Sequence, residues 1–589
     1  MKRFASLFSI ALTCLLALSC GKEGSEGSGS GKAILSVNVE GVEGLLEIPE
    51  GQIRTYEVAV TAAPAPGDAL NITLGTDQAL VDMYNAANGS SYEMLPNEAY
   101  ELPADGLILM PNNKKSTTGV LTLKATGCVQ DKTYLLPIFV NTVKGTAQYD
   151  APEDKAAYIL FKVVAPQFDG SGTETDPYLI KDESNLSDMG YMLVSGKYTY
   201  FKMTADLDFK GESWKLTDSK GKGVFFEGDG HKISNVNAAT PLFSSLEGAV
   251  KNVSFDNIVI DAGSVYAGVL AETAGYGTIV EKITVTNSSV TNTGCTGGLI
   301  GSIDGATISD CNVGCVVTGR MNVGGLLGRV LNGTLNNCHT TGNVTSNSYY
   351  AGGITGQLML GTVTNCSAAG NVSMVGEDTY ARIGGLIGEV HGGTLENCFA
   401  TGDVASARYW GGGLVGVVNA DEGDIVIKKC YAEGDLNFEK NEEHKQAGVG
   451  ALVGSMSGGN VTIEDSFATG KVFSDRWSSG FVGNIYGGAL VIKGGYSACD
   501  LSNLGPNRDG VYEDGIVIGA RFGDDPAPTI SVSGFVAWNT DNKAFCWPEG
   551  IVSVTGNYYG NSGTVSSQAE TLGWSTEVWD LSGELPRLK

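Results

Sequence analysis

A five-residue phrase returns seven times between residues 297 and 483: GGLIG from Gly297, GGLLG from Gly324, GGITG from Gly352, GGLIG from Gly384, GGLVG from Gly412, GALVG from Gly450 and SGFVG from Ser479. A weaker copy, AGVLA, begins at Ala267, and successive starts then lie 30, 27, 28, 32, 28, 38 and 29 residues apart. A period in that range marks stacked supersecondary units, each too small to bury its apolar face alone. A second phrase trails the first: NCHTTGNV from Asn337, NCSAAGNV from Asn365, NCFATGDV from Asn397, KCYAEGDL from Lys429 and DSFATGKV from Asp465, with a degenerate DCNVG from Asp310. Between the glycines lie short β-branched pairs such as Thr334-Leu335, Thr362-Val363 and Thr394-Leu395, and no apolar 3.6-residue period crosses a repeat. Such alternation reads as strands. Short strands at matching positions satisfy their backbone groups by pairing with the rungs above and below, which predicts a parallel β-helix.

The Gly-Gly-Leu-Ile-Gly phrase resembles the GLUG motif of bacterial surface proteins. The flanks are similar to that family's as well: FDGSGTETDPYLI from Phe168, ADLDF from Ala205 and FFEGDGHKISNV from Phe225 before the repeats, and LGWSTEVWDLSGELPRLK from Leu572 after them. The resemblance implies a right-handed β-helix in an adhesin-like surface protein, and it implies no catalytic site. Residues 166–250 are expected to form the leading rungs, 251–505 the repeat body, and 506–589 the last rungs and a cap.

Residues 32–163 lack the repeat and alternate as strands, for example AILSVNV from Ala33, IRTYEVAVTAA from Ile53 and YLLPIFVNTV from Tyr134. This is the pattern of an antiparallel, immunoglobulin-like sandwich. The stretch DQALVDMYNAANGSSYEMLPNEAYEL from Asp77, with KTYLLP from Lys132, resembles the family called domain of unknown function 1735, found at the front of Bacteroidetes surface lipoproteins. Some proteins of that type end in glycosidases or carbohydrate-binding modules. The resemblance therefore implies a spacer or an accessory recognition module without naming a glycan. The fold class is all-β: an N-terminal immunoglobulin-like sandwich, then a right-handed parallel β-helix.

Lys2 and Arg3, an apolar run from Phe4 to Leu18, and Ser19-Cys20-Gly21 form a signal peptide over residues 1–19. The pattern resembles a bacterial lipoprotein signal, which makes Cys20 the lipid attachment site; residues 20–31, rich in Gly and Ser, are a flexible tether. The expected location is the outer membrane, lipid-anchored and surface-exposed, with acyl chains as the only membrane hold. A net charge of −27 repels nucleic acid and strongly acidic glycans. Neutral or cationic partners are favoured, and the protein is expected to be a monomer.

Cys311, Cys338, Cys366, Cys398 and Cys430 share one column of the solenoid, continued by Ser466. Stacked thiols with parallel side chains cannot bridge without strain, and a linear column cannot supply a tetrahedral metal site, so they are expected to be free and buried. No metal or cofactor is expected. The search for catalytic patterns returns no nucleophile elbow, no HExxH and no phosphate-cradling loop. The four histidines, His231, His339, His391 and His444, recur at no common repeat position. Two Asx columns (Asn343, Asn371, Asp403, Asp435; and Asp310, Asn337, Asn365, Asn397, Asp465) are explained by side chains bonding turn backbone and each other. Asp421, Glu422 and Asp424 fall in a longer loop and read as a solvated face.

Aromatic residues are more suggestive. Tyr350, Trp410 and Trp477 stand two positions before the phrase, with Arg382 in the same column and Tyr349, Tyr409 and Arg476 one residue earlier. Asn322 and Cys295 break the column at its start. Stacked rungs turn such a column into a ridge, and aromatic surfaces with polar neighbours suit sugar rings. An aromatic strip packed under a loop gives the same pattern. The ligand-binding candidates are therefore Tyr349, Tyr350, Tyr409, Trp410, Arg476 and Trp477. Together these features point to a non-catalytic surface lipoprotein recognising an extracellular or host glycan or a surface glycoprotein. Its rivals are a polysaccharide lyase or glycoside hydrolase on a β-helix face, and a structural stalk.

Overall fold

A computed structural model describes residues 33–501, 517–521, 528–538, 551–560 and 564–589, apart from positions 43, 50–52, 146–148, 151, 153–154, 165–167, 194–196, 215, 217–219, 377–380, 407–409, 439–447, 475–477 and 556–557. The chain divides into two compact units, Met1–Pro166 and Gln167–Lys589.

The first unit is a two-sheet sandwich. One sheet orders the strands Tyr149–Asp150, Ala33–Val39, Ile53–Ala63, Ser116–Lys124 and Tyr100–Glu101; the other orders Leu45–Pro49, Ala157–Val164, Thr133–Lys144, Leu70–Gly75 and Leu107–Met110. Leu35, Val37, Leu121 and Leu123 of one sheet and Leu136, Ile138, Ile159 and Phe161 of the other share one buried cluster. The expected antiparallel pattern is broken at the edges, where Ala33–Val39 runs parallel to Tyr149–Asp150 and Leu45–Pro49 parallel to Ala157–Val164. The chain changes sheets between these two strands, and Gly41 and Gly44, at φ of 76° and 77°, permit that bend. The all-strand pattern also misses a helix, Gln78–Asn88. Its signals are local: Asp77 Oδ1 accepts the Ala79 N–H at 2.9 Å, and Gly89 ends the helix at φ 64°.

The second unit is a parallel β-helix. It starts with Tyr178–Ile180 pairing parallel to Thr199–Met203, which pairs in turn with Lys220–Glu227. A representative rung holds the strands Arg382–Gly384, Ile387–Val390, Gly393–Glu396, Phe399–Ala400 and Val404–Ser406, each paired in parallel with its counterpart one rung on. One apolar core runs from Ile180 to Ala537. Leu299, Leu326, Ile354, Leu386, Leu414, Leu452 and Phe481 are fully buried in it, at the corner the phrase predicts. The glycines of the phrase answer to backbone packing. A Cβ on Gly384 would lie 2.1 Å from the Ile387 carbonyl oxygen, and one on Gly385 would lie 2.1 Å from that of Gly413 on the next rung. The phrase is therefore a steric requirement of the corner and carries no chemistry of its own.

The second phrase has an equally local cause. Asp310, Asn337, Asn365 and Asn397 adopt φ of 54°, 53°, 54° and 55°, the left-handed conformation that Asx residues tolerate best after glycine. The thiols of Cys311, Cys338, Cys366, Cys398 and Cys430 follow, buried and unbridged. Each donates to the carbonyl two residues earlier, at 3.1, 3.4, 3.1, 3.2 and 3.2 Å, and the Ser466 hydroxyl makes the same bond at 2.7 Å.

The helix Val565–Thr571 and the pair of short strands Trp579–Asp580 and Arg587–Leu588 lie along the flank of the rungs, over an aromatic column. There Phe399, Tyr431 and Phe467 stack with centroids 4.7 Å apart and planes within 1° and 6°. Trp579 closes on Tyr431 and Phe467 at 6.2 and 5.9 Å, the Trp574 indole donates to the Gly494 carbonyl at 3.1 Å, and Arg587 pairs with Glu433 while covering the Tyr431 ring. Burial pushes the Tyr431 hydroxyl up to about 12.

Candidate functional site

Tyr350, Arg382 and Trp410 begin three successive strands, Tyr350–Gly352, Arg382–Gly384 and Trp410–Gly412, and pair directly in register. Rung stacking thus places the Arg382 guanidinium between two rings, 5.4 Å from the Tyr350 centroid and 5.9 Å from that of Trp410. All three side chains are half-buried. Tyr349 packs beside Tyr350 with ring centroids 6.1 Å apart. Tyr409, Arg476 and Trp477 lie outside the described residues, as does Cys20.

The sequence pattern did not single out what fixes Arg382. Glu389 is fully buried and forms an ion pair with it. The second Glu389 oxygen takes the Gln357 amide N–H at 3.2 Å and faces His391 Nε2 at 3.1 Å, while His391 Nδ1 faces Asp421 at 2.9 Å. Asn322 donates to Gln357 at 2.9 Å. Asp421, exposed in its loop as the sequence suggests, is thus also tied to this network. A signal was present: the residue directly after each phrase is Ser302, Arg329, Gln357, Glu389, Val417, Ser455 or Asn484, polar in six of seven repeats. Those positions stack in register. Another arginine–tyrosine contact is built from different columns: Arg329, in the column of Glu389, lies over the Tyr266 ring at 5.8 Å and donates to the Tyr266 hydroxyl at 3.3 Å.

The electrostatics follow from this packing. A half-buried guanidinium needs a partner, and Glu389 compensates it within the rung. The donors left at the surface are therefore close to neutral as a group. Both ring nitrogens of His391 face carboxylates, Nε2 that of Glu389 and Nδ1 that of Asp421. Tyr486, two rungs beyond Trp410, bonds the Trp410 indole and accepts from Asn484 of its own rung at 3.3 Å, and burial pushes its hydroxyl up.

The Asx column of Asn343, Asn371, Asp403 and Asp435 forms a ladder. Each side-chain Oδ1 accepts the backbone N–H of its counterpart one rung on, at 3.0, 3.0, 2.9 and 2.8 Å, ending on Lys471. In the other column Asn337 donates to Asp310 at 2.6 Å and Asn397 to Asn365 at 3.1 Å. Among the described residues no group of three or more His, Cys, Asp or Glu side chains is placed to hold a metal ion. Among them, too, no helix is long and apolar enough to cross a membrane.

Residues 319–345, 347–373 and 379–405 match the GLUG motif, and residues 40–147 match a family model of an N-terminal domain. No curated protein matches the chain. Among solved structures, a candidate immunoglobulin A1 protease from Bacteroides ovatus is 26% identical over 41% of this chain and 79% of its own, with a TM-score of 0.34. A candidate carbohydrate binding protein from the same organism is 19% identical over 23% of this chain and 38% of its own, at a TM-score of 0.19. EndoBT-3987 from Bacteroides thetaiotamicron is 15% identical over 33% of this chain and 51% of its own, at 0.20.

Proposed function

We propose, from a chain that carries GLUG repeats behind an N-terminal sandwich domain, that it is a lipid-anchored surface protein recognising a neutral glycan without cleaving it. The observation that carries this reading is the Arg382 guanidinium, held between Tyr350 and Trp410 by the buried Glu389. A preset guanidinium presents fixed N–H donors, and the adjacent rings offer apolar surface, the pairing that polyhydroxylated rings require. Because Glu389 cancels the charge, and the whole chain carries −27, a polyanion gains nothing here. Cys20 supplies the acyl anchor in this reading.

The test is a glycan array with the soluble chain from residue 21 onward, followed by titration of Trp410→Ala and Arg382→Lys against the best neutral ligand. Both should weaken binding about tenfold or more, the scale of one lost hot-spot contact. Binding indistinguishable from the parent in both variants sinks the reading. Ligand shortened on incubation would instead favour the enzyme. In cells, Cys20→Ala should move the protein out of the membrane fraction.

A further inference from the structure

A groove of about 790 Å³ runs along a different sheet of the solenoid, on the strands Val344–Ser346, Val372–Met374, Val404–Ser406, Leu436–Phe438 and Val472–Phe473. We propose that it binds a linear, uncharged polysaccharide laid parallel to the solenoid axis, as a second site separate from the Arg382 column. Its lining comes from five successive rungs, so the groove extends over roughly 19 Å at one strand spacing per rung. That length suits several units of a polymer and is wasted on a single sugar.

The chemistry repeats at the same spacing. The Asx ladder commits one oxygen of each side chain to the backbone and leaves the other terminal atom unbonded and exposed. Asn343 and Asn371 therefore present amide donors, and Asp403 and Asp435 present carboxylate acceptors, one rung apart. A carboxylate oxygen accepts a hydrogen bond from a sugar hydroxyl, a charge-assisted bond of about twice the ordinary strength. Thr345 and Ser373 also line it, their hydroxyls bonded to each other at 3.2 Å, and Phe473, 38% exposed, offers an apolar surface at one end. An extended peptide advances about 3.3 Å per residue and drifts out of step with groups near 4.8 Å apart. A pyranose chain repeats on a scale closer to one rung. Polyanions are disfavoured because two aspartates outnumber the one lysine of the lining, Lys471, and because the net charge is negative.

The column itself supplies a clean variant. Asn and Asp make the same backbone bond at this position, so Asp403→Asn with Asp435→Asn keeps the ladder and turns two outward acceptors into donors. Isothermal titration of the full soluble chain with neutral linear polysaccharides from the array should show the double variant binding about tenfold or more weakly, the loss expected for charge-assisted bonds, with an unchanged melting temperature. Trp410→Ala should leave that loss intact when combined with it, which separates failure of this site from failure of the Arg382 site. Parent-like binding by the double variant overturns the proposal. So does binding that vanishes on chelation of Ca²⁺, because the carboxylates would then be serving an ion.

Discussion

Two columns of aromatic residues run along the same solenoid and end in opposite ways. Phe399, Tyr431 and Phe467 stack ring on ring, and the chain's own C-terminal segment closes over them with Trp574 and Trp579. Tyr350 and Trp410 are separated by Arg382, which is held from within the same rung by Glu389. Rung stacking fixes the vertical neighbours in both cases. What lies sideways is supplied from about a hundred residues away in the first and from seven residues away in the second. An aromatic column read from repeat spacing therefore fixes the stack but leaves its exposure undecided.

The sharpest way to break this contrast is to uncover the first column. Trp579→Ala removes a fully buried indole and should cost about 3–5 kcal/mol, as large aromatic truncations in a core do. Calorimetry should show a lowered transition for the C-terminal rungs, and Trp410→Ala should lower it by far less. Equal losses would mean that both columns are core and that the second has no free surface.

A smaller loss is expected at the second column. Glu389→Ala leaves a half-buried guanidinium without its carboxylate, a defect of about 1–3 kcal/mol, reduced because Arg382 keeps 22% of its surface in water. Glu389→Gln, which keeps one acceptor oxygen but loses the charge and turns the other acceptor into a donor, should fall between the parent and Glu389→Ala. If Arg382→Ala in the Glu389→Ala background restores nothing, the ion pair does not hold the ridge.

The rungs, the buried corner and the thiol column were legible because each comes from a side chain acting on its own repeat: Gly384 has no room for a Cβ, and Asn337 takes a left-handed turn. The Glu389 network was not, because it joins four different repeat positions: Arg382 and Asn322 share one, Gln357 and Glu389 a second, and His391 and Asp421 stand at two more. The covering of Tyr431 by Trp579 was less visible still, since nothing in residues 572–589 states which flank they fold against. Asp421 shows the same limit: its exposure could be read from the loop, but not the histidine thirty residues earlier that it faces. Repetition exposes contacts between equivalent positions and hides those between unequal ones.

The smallest effect should come from a column that needs no cover and whose shortest bonds stay within each rung, the longer ones reaching only the rung before. Cys398 donates to its own rung at Glu396, and Ser466 already makes that bond two rungs on. Cys398→Ser should therefore stay within about 1 kcal/mol of the parent, while Cys398→Ala, which loses the donor, should cost more. The same burial decides reactivity. A free thiol ionises near pH 8.5, but desolvation pushes Cys315 and Cys499 up to about 12. Their thiolates are therefore scarce at pH 9. Alkylation of the native chain at that pH should label half-buried Cys128 first among the described cysteines, and the column only after denaturation. Rapid native labelling of Cys398 would show that the rungs breathe, and a solenoid that opens there could not hold either aromatic column in the geometry described.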